Sequence, residues 1–414
     1  MLNAHTSSLG WGGLFVLLVS LGGCKKQADP VSPIIPVCHA EPTNPGSSTI
    51  VWTGLPVIST AQPVFRETEK VYRTSFTTGI YQDSLSAKTY RYTVVANGLD
   101  NLRFPTDLDV NPLRPNELWI ANYGEAYRTG QYSNKAYTIT VFNPVTSAQF
   151  AVRRKDKEMF TRHFFSYPTS LVFNKDGYWA NTSFFNNNGN NGPTLWTSDF
   201  SIYADSMKYT INGSHNSMLH ESFTSLGIAA DETNTFWILD GTTGDVVSYN
   251  FGKGHYPGGD DHTDGTIRRY ALPNAIKPVD GLPSHVCYNS ETGELYVVDA
   301  LRRRIVRLNT RSGTVSRSRQ GIDNPKEYSI MTAQSDVLLD NLPLKTPCGI
   351  DTDGTRLYVS DYETGRIAVL SLKTGQVVRT IETANRGVTG LYVDKTAHLW
   401  YVNQLTNELV RVDL

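Results

Sequence analysis

Charge of one sign is what this 414-residue chain most plainly lacks: 38 Lys and Arg stand against 39 Asp and Glu, a formal net charge of -1. Without a basic excess there is no electrostatic footprint for nucleic acid, and nucleic acid is excluded as a partner. Cysteine is scarce, with four residues, and none has metal-type spacing; Cys38-His39 lacks the second Cys that c-type haem attachment needs. Apart from Trp11–Leu21 no segment is apolar enough to be a membrane-span candidate. Amphipathic helical periodicity is nearly absent, which predicts a mostly β protein. The locally readable catalytic signatures are missing too: there is no G-x-S-x-G, H-E-x-x-H, P-loop or G-x-G-x-x-G strand–helix unit. What is plentiful is apolar sequence (39%) and aromatic sequence (11%, with 22 Tyr), ample for a large packed core and wrong for a disordered chain.

The run WGGLFVLLVSL (Trp11–Leu21) has the length of a signal-peptide core and is too short to cross a bilayer as a helix. It ends in Leu21-Gly22-Gly23-Cys24, which resembles a bacterial lipobox, where the Cys is acylated and becomes the mature N-terminus. The preceding MLNAHTSS has no Lys or Arg, so the basic start of such a signal is missing, and an ordinary secretory signal is the alternative. The resemblance implies a lipoprotein of the bacterial cell envelope, held to the membrane through Cys24. Lys25 is unlike an inner-membrane retention signal and points to the outer membrane. Residues 1–23 are then the signal, and 24–49, rich in Pro, Ser and polar residues, an extended tether. Three cysteines would remain, Cys38, Cys287 and Cys348: one pair with a free thiol, or no pair.

The rest of the chain repeats. Each copy holds an apolar strand opened by Pro or Ser in most copies, a turn, and a second apolar strand ending in Asp or Asn. The six copies start at Pro105, Pro168, Ser225, Pro283, Pro347 and Val388, and their second strands end at Asn122, Asn181, Asp240, Asp299, Asp361 and Asn403. The last spacing, 41 residues, is close to the roughly 40–45 residues of a four-stranded propeller blade; the longer ones carry insertions. The terminal Asp or Asn can bond its own backbone in the following turn, so these six are read as structural. Copy six stops at Leu414 after its third strand, while an orphan strand, Tyr90–Asn97, precedes copy one. If that strand completes the last blade, the ring closes and leaves no edge to aggregate. The expectation is an all-β, six-bladed β-propeller over 90–414 whose last blade is closed by an N-terminal strand, with 50–89 as an extension that packs a strand or two on the ring.

Copy five, P-x-G-I followed by L-Y-V-S-D-x-x-x-x-R-I (Pro347–Ile367), is similar to the repeats of NHL-type six-bladed propellers. The similarity spans about Tyr90–Leu414, is best in copies four and five, and implies a fold, which does not by itself fix a function. One enzyme family of this type, the peptidyl-α-hydroxyglycine α-amidating lyases, binds metal through a His directly after the Pro. Here that position holds Thr106, Thr169, Ser284 or Cys348, so its activity is not carried over. Gluconolactonase-type propellers use Glu, Asn and Asp on a metal; Asp107 and Glu221 are available, but no motif fixes them.

Blade geometry sorts the insertions. Turns after second and fourth strands share one face, the top, with the start of each first strand; turns after first and third strands lie on the bottom. On top fall Tyr123–Tyr137, Ser183–Trp196 and the connectors 154–167, 213–224 and 320–346. The Asn/Gly run flanked by Phe184, Phe185 and Trp196, with Tyr123 and Asp107 nearby, offers amides and ring faces to a ligand such as a sugar, although such runs are commonly plain solvated loops. His163 and His220 each lie five residues before a blade start and His285 begins another, so three imidazoles on one face could hold zinc or copper; backbone bonding is the plainer reading. On the bottom, Asp260, His262 and Asp264 before Gly265 resemble the start of a calcium loop, with His in place of an oxygen ligand and no bidentate Glu downstream. Two functions follow: an envelope lipoprotein that binds a glycan, peptide or protein through top-face loops, or a metal-dependent lyase or hydrolase built on the histidines. An assembly scaffold is a third.

Overall fold

The computed structural model describes residues 57–124, 136–155, 167–184, 192–204, 213–233, 235–253, 255–259, 261–272 and 274–414. All belong to one compact unit, Val51–Leu414. Within them every regular element except two short 3-10 turns is a strand. The extension supplies β1 (Lys70–Tyr72) and β2 (Thr77–Asp83), followed by the orphan strand β3 (Thr89–Ala96). The first repeat is β4 (Pro105–Val110), β5 (Glu117–Asn122), β6 (Tyr137–Phe142) and β7 (Phe150–Arg154). The second is β8 (Pro168–Phe173), β9 (Tyr178–Ser183), β10 (Thr194–Thr197) and a two-residue β11 (Ser217–Met218). The third is β12 (Ser225–Ala230), β13 (Thr235–Asp240), β14 (Val246–Asn250) and β15 (Thr266–Tyr270). The fourth runs β16 (Val286–Asn289), β17 (Glu294–Asp299), β18 (Arg304–Asn309), then an inserted hairpin, β19 (Thr314–Ser318) and β20 (Glu327–Thr332), before β21 (Ser335–Leu339). The fifth is β22 (Pro347–Thr352), β23 (Arg356–Asp361), β24 (Arg366–Ser371) and β25 (Val377–Glu382), and the sixth β26 (Val388–Val393), β27 (His398–Asn403) and β28 (Glu408–Asp413).

Within each repeat successive strands pair antiparallel. The first strands follow one another around an axis, each against the next, and β26 returns to β4. This is a closed β-propeller. The closure expected from the orphan strand is present: β3 pairs antiparallel with β28, Val410 opposite Val94 and Val412 opposite Tyr92. β2 then lies between β3 and β25, so it bridges the last two blades. The Tyr81 and Tyr401 hydroxyls meet at 2.7 Å beneath it, and the Tyr81 and Tyr92 rings stack at 4.1 Å. β1 adds to the edge of β7. Residues 320–346, read from sequence as a top connector, instead hold β20 and β21. β20 pairs parallel with β15 and extends the third blade, because the alternating residues of Glu327–Thr332 complete an edge that a loop would leave open.

Both faces of a blade are covered by neighbours, so second strands such as Glu117–Asn122 are buried at every residue. Between the first and second blades the core is aromatic: Trp119, Trp179, Trp196 and Tyr203, capped by Phe65 from the extension, whose ring lies 5.2 Å from Phe142 and 5.0 Å from Phe200. The steric demand of the axis falls on the third residue of the first strands. That position is Gly227, Gly349 and Gly390 in three blades; an added Cβ would lie 2.5 Å from the Ser284 carbonyl oxygen, 1.9 Å from that of Thr389 and 2.2 Å from Asp107 Oδ1. In β4 and β8 the register shifts between the first and third residues, a bulge that frees the third side chain from the ladder and turns it toward the axis.

Candidate functional site

Third and fifth residues of the first strands line an axial channel of about 150 Å³. In the layer nearer the strand starts stand Asp107, Ser170 and His285, all buried. Asp107 accepts a short hydrogen bond from the Ser170 hydroxyl and one from the Leu171 amide at 3.1 Å, both on the next blade. The His285 Nδ1 lies 3.5 Å from Asp107 Oδ1, and its Nε2 lies 3.1 Å from the Thr169 carbonyl oxygen, which fixes the proton on Nε2. Burial pushes the Asp107 carboxyl above its ordinary range, while His285, Ser170 and the backbone donors pull the other way.

The next layer holds Asp109, Asp351, Cys287 and Tyr392. Asp109 accepts the Phe173 and Val110 amides, each at 2.7 Å, and Asp351 accepts the Val393 amide at 2.6 Å. Each carboxylate pins its strand to the neighbouring blade. Burial raises both, helped by repulsion between the acids of the channel: Asp109 is pushed up to about 8 and Asp351 to about 7. The Cys287 thiol is raised by burial and, with Cys348, is unpaired. The strand-start end of the channel is buried, whereas Asp109, Val110, Tyr288, Asp351, Tyr392 and Val393 at the other end are half-exposed. The open end is therefore the bottom.

It opens into a groove of about 820 Å³ that shares Tyr288, Asp351 and Tyr392 with the channel. The groove is floored by turns after the first strands of three blades, including Asn289–Glu291, Thr352–Thr355 and Val393–Lys395, with Lys88 and Arg379 on its wall. Its turns are set by their own sequence. Asp353 accepts the Thr355 amide and hydroxyl, at 2.8 and 2.7 Å, and the Tyr358 hydroxyl at 3.0 Å. Asp394 accepts the Thr396 amide and hydroxyl, at 2.8 and 2.7 Å, and the Trp400 indole N–H at 2.9 Å. Aspartate followed by Thr two residues on is thus a turn device, its carboxylate hydrogen-bonded to neighbouring groups of the protein. What faces the groove is a mixture of hydroxyls, charged groups of both signs and two half-exposed Tyr rings, an arrangement suited to a polar solute with ring-like apolar faces.

The residues singled out from sequence scatter. Of the three imidazoles, His285 lines the channel; His220 does not, since its Nδ1 pairs with Asp323 Oδ1 at 2.7 Å beside the inserted hairpin, and His163 lies outside the described residues. His220 instead stands 6.2 Å, ring to ring, from His262 of the loop after β14, and His262 stands 6.3 Å from His255. Asp264 pairs with His255 Nε2 at 2.9 Å, and Asp260 lies outside the described residues. Among the described residues no three of His, Cys, Asp and Glu come together in a manner that would hold a metal ion. Glu221 accepts the Ile322 amide at 2.6 Å, away from the channel. Trp196 is fully buried, its indole N–H donating to Asn181 at 2.7 Å, so its faces pack in the core. Tyr123 is buried with its ring 6.2 Å from that of half-buried Phe184; Phe185 lies outside the described residues, as do 125–135 and 185–191. Of the residues singled out from sequence, Asp107 and His285 reach the channel.

Four of the six strand-ending Asp and Asn residues cap the following turn: Asp240, Asp299, Asp361 and Asn403 accept an amide two or three residues further on. Asn122 and Asn181 do other work, accepting the Arg103 amide and the Trp196 indole. Sequence reasoning passed over the groove. Its available signal was the acid at the fifth position of copies one and five, one strand-end away from turns of the form D-x-T.

No family model matches the sequence, and no curated protein matches it. Solved structures that are similar include an auxiliary nutrient binding protein from Bacteroides thetaiotaomicron, at 10% identity and a TM-score of 0.48 over 77% of this chain and 69% of that one. Another is an auxiliary nutrient binding protein from Bacteroides ovatus, at 9% identity and a TM-score of 0.48 over 82% of this chain and 77% of the other. A third is virginiamycin B lyase from Staphylococcus aureus, at 12% identity and a TM-score of 0.46 over 81% of this chain and 85% of the lyase. The propeller assignment rests on the strand pairing of this chain itself.

Proposed function

We propose that this protein is a lipid-anchored binding protein of the bacterial cell envelope, with outer-membrane placement, whose propeller holds a glycan. The observation that carries the reading is the groove at the bottom mouth of the channel: about 820 Å³, lined by hydroxyls, charged groups and the Tyr288 and Tyr392 rings. A sugar presents hydroxyls that both donate and accept and ring C–H faces that pack on aromatics, and this lining answers both needs. Peptide or protein ligands taken up by the top-face loops are the outcomes that would displace the glycan.

Calorimetric titration with oligosaccharide panels tests it. Tyr288→Ala is expected to weaken binding about tenfold, roughly what loss of one packed ring removes, and deletion of 185–191 to leave it within twofold. The reverse pattern would move the site to the top face; no binding of any oligosaccharide would end the glycan reading. The anchor is tested separately in a bacterial host fed labelled palmitate. The parent chain should take up label and fractionate with membranes, and Cys24→Ser should do neither.

A further inference from the structure

Lys88, Arg356 and Arg379 converge on the groove from three places in the chain: the residue before β3, the start of β23 and the middle of β25. Arg356 and Arg379 also line an adjoining depression of about 730 Å³ that contains Lys373, so the cations stand on a ridge shared by two hollows. Nearby carboxylates offset them only in part, although Glu291, Asp351 and Asp394 also line the groove. Asp353 stands 3.6 Å from Arg356 Nη1 but is committed to the Thr355 amide and hydroxyl, the Arg356 amide and the Tyr358 hydroxyl. Asp83 is buried and committed to the Leu85 and Thr380 amides, the Ser86 hydroxyl and the Tyr90 hydroxyl. Among the described residues neither Lys88 nor Arg379 has a carboxylate within ion-pair distance; Lys88 Nζ sits 4.8 Å over the Tyr90 ring instead. The repulsion is felt: burial first, then the Arg379 guanidinium and, more weakly, that of Arg356 hold the Lys88 ammonium below its ordinary proton affinity, against the pull of Asp83. Two guanidiniums and an ammonium around one hollow form the donor set that recognises a carboxylate, sulfate or phosphate group.

We propose that Lys88, Arg356 and Arg379 form an anion subsite, and that the glycan of the groove carries acidic substituents, carboxylate or sulfate. The glycan half of this rests on the function proposed above; the anion half does not. Two measurements keep them apart. The first uses inorganic pyrophosphate alone, followed by thermal unfolding. The parent should show saturable stabilisation that fades as sodium chloride rises, the Lys88→Gln/Arg379→Gln double variant should not, and Lys175→Gln, an exposed lysine on the second blade, should behave as the parent. The second titrates oligogalacturonate, a sulfated glucan oligomer and a neutral malto-oligosaccharide. At least one acidic series should bind tenfold or more tighter than the neutral one, and the double variant should lose that preference; which series wins separates carboxylate from sulfate. Pyrophosphate stabilisation without any oligosaccharide binding would leave the anion subsite standing and end the glycan. Equal affinity for acidic and neutral oligosaccharides, unchanged in the double variant, would do the opposite. Absence of pyrophosphate stabilisation, or its survival in the double variant, overturns the subsite.

Discussion

A carboxylate at the fifth position of an inner strand has two jobs that conflict. Asp109 and Asp351 must accept amides of the neighbouring blade, which a charged oxygen does best, yet they stand partly shielded from water with each other and Asp107 close enough to repel. Burial wins, and Asp109 rises to about 8. The sign follows. A folded-state value above the unfolded value of about 3.9 means the folded chain holds the proton longer, so this stability is full below pH 4 and is lost as pH climbs toward 8. For Asp351 the same loss runs to about 7. Asn imitates the protonated acid, keeping one acceptor without the charge. Asp109→Asn should match the parent at pH 4 and exceed its unfolding free energy at pH 8 by about 1–3 kcal/mol, a figure reduced because the mouth is open to solvent. Denaturant melts across that range measure it; parallel curves would show that the carboxylate is ionised throughout.

The closing strand governs the account at the level of elements. β3 is paired on both sides, with β28 and with β2, so Val94 faces ladders in two directions and is 7% exposed. Proline there removes an amide and cannot be accommodated as it would be at an edge. Val94→Pro should cost about 3 kcal/mol or more in urea melts, while proline at Val57, 98% exposed and outside any strand, should cost little. Equal effects at the two positions would mean that the ring is not held shut by β3. This closure was legible because a strand-patterned stretch at Tyr90–Asn97 had no partner before the first repeat and the sixth repeat was one strand short. The inserted hairpin was not. Thr314–Ser318 is exposed throughout and alternates weakly, and the hairpin joins the third blade through a parallel pairing of its second strand, β20, with β15 that local pattern does not encode. Trp196 misled for a related reason: a polar Asn/Gly run precedes it, but its own strand is buried on both faces.

Across the whole molecule, the repeat dictates the scaffold, and the scaffold assembles the site from residues that no linear window contains. Lys88, Glu291, Asp351, Arg379 and Lys395 span some three hundred positions and meet because the first-strand turns of three neighbouring blades share a face with the outer strands β3 and β25. That is why the fold could be read from spacing while the groove could not, and why the channel residues Asp107 and His285 were identified singly but not as partners. The central claim is that the ligand occupies the bottom mouth. Hydroxyl-radical footprinting of the protein with and without a bound acidic oligosaccharide tests it most directly. Protection confined to Tyr288, Tyr392 and the turns at 289–291, 352–356 and 393–397 is the predicted result; protection that falls instead on 123–137 and 183–196, with those turns unchanged, would contradict it.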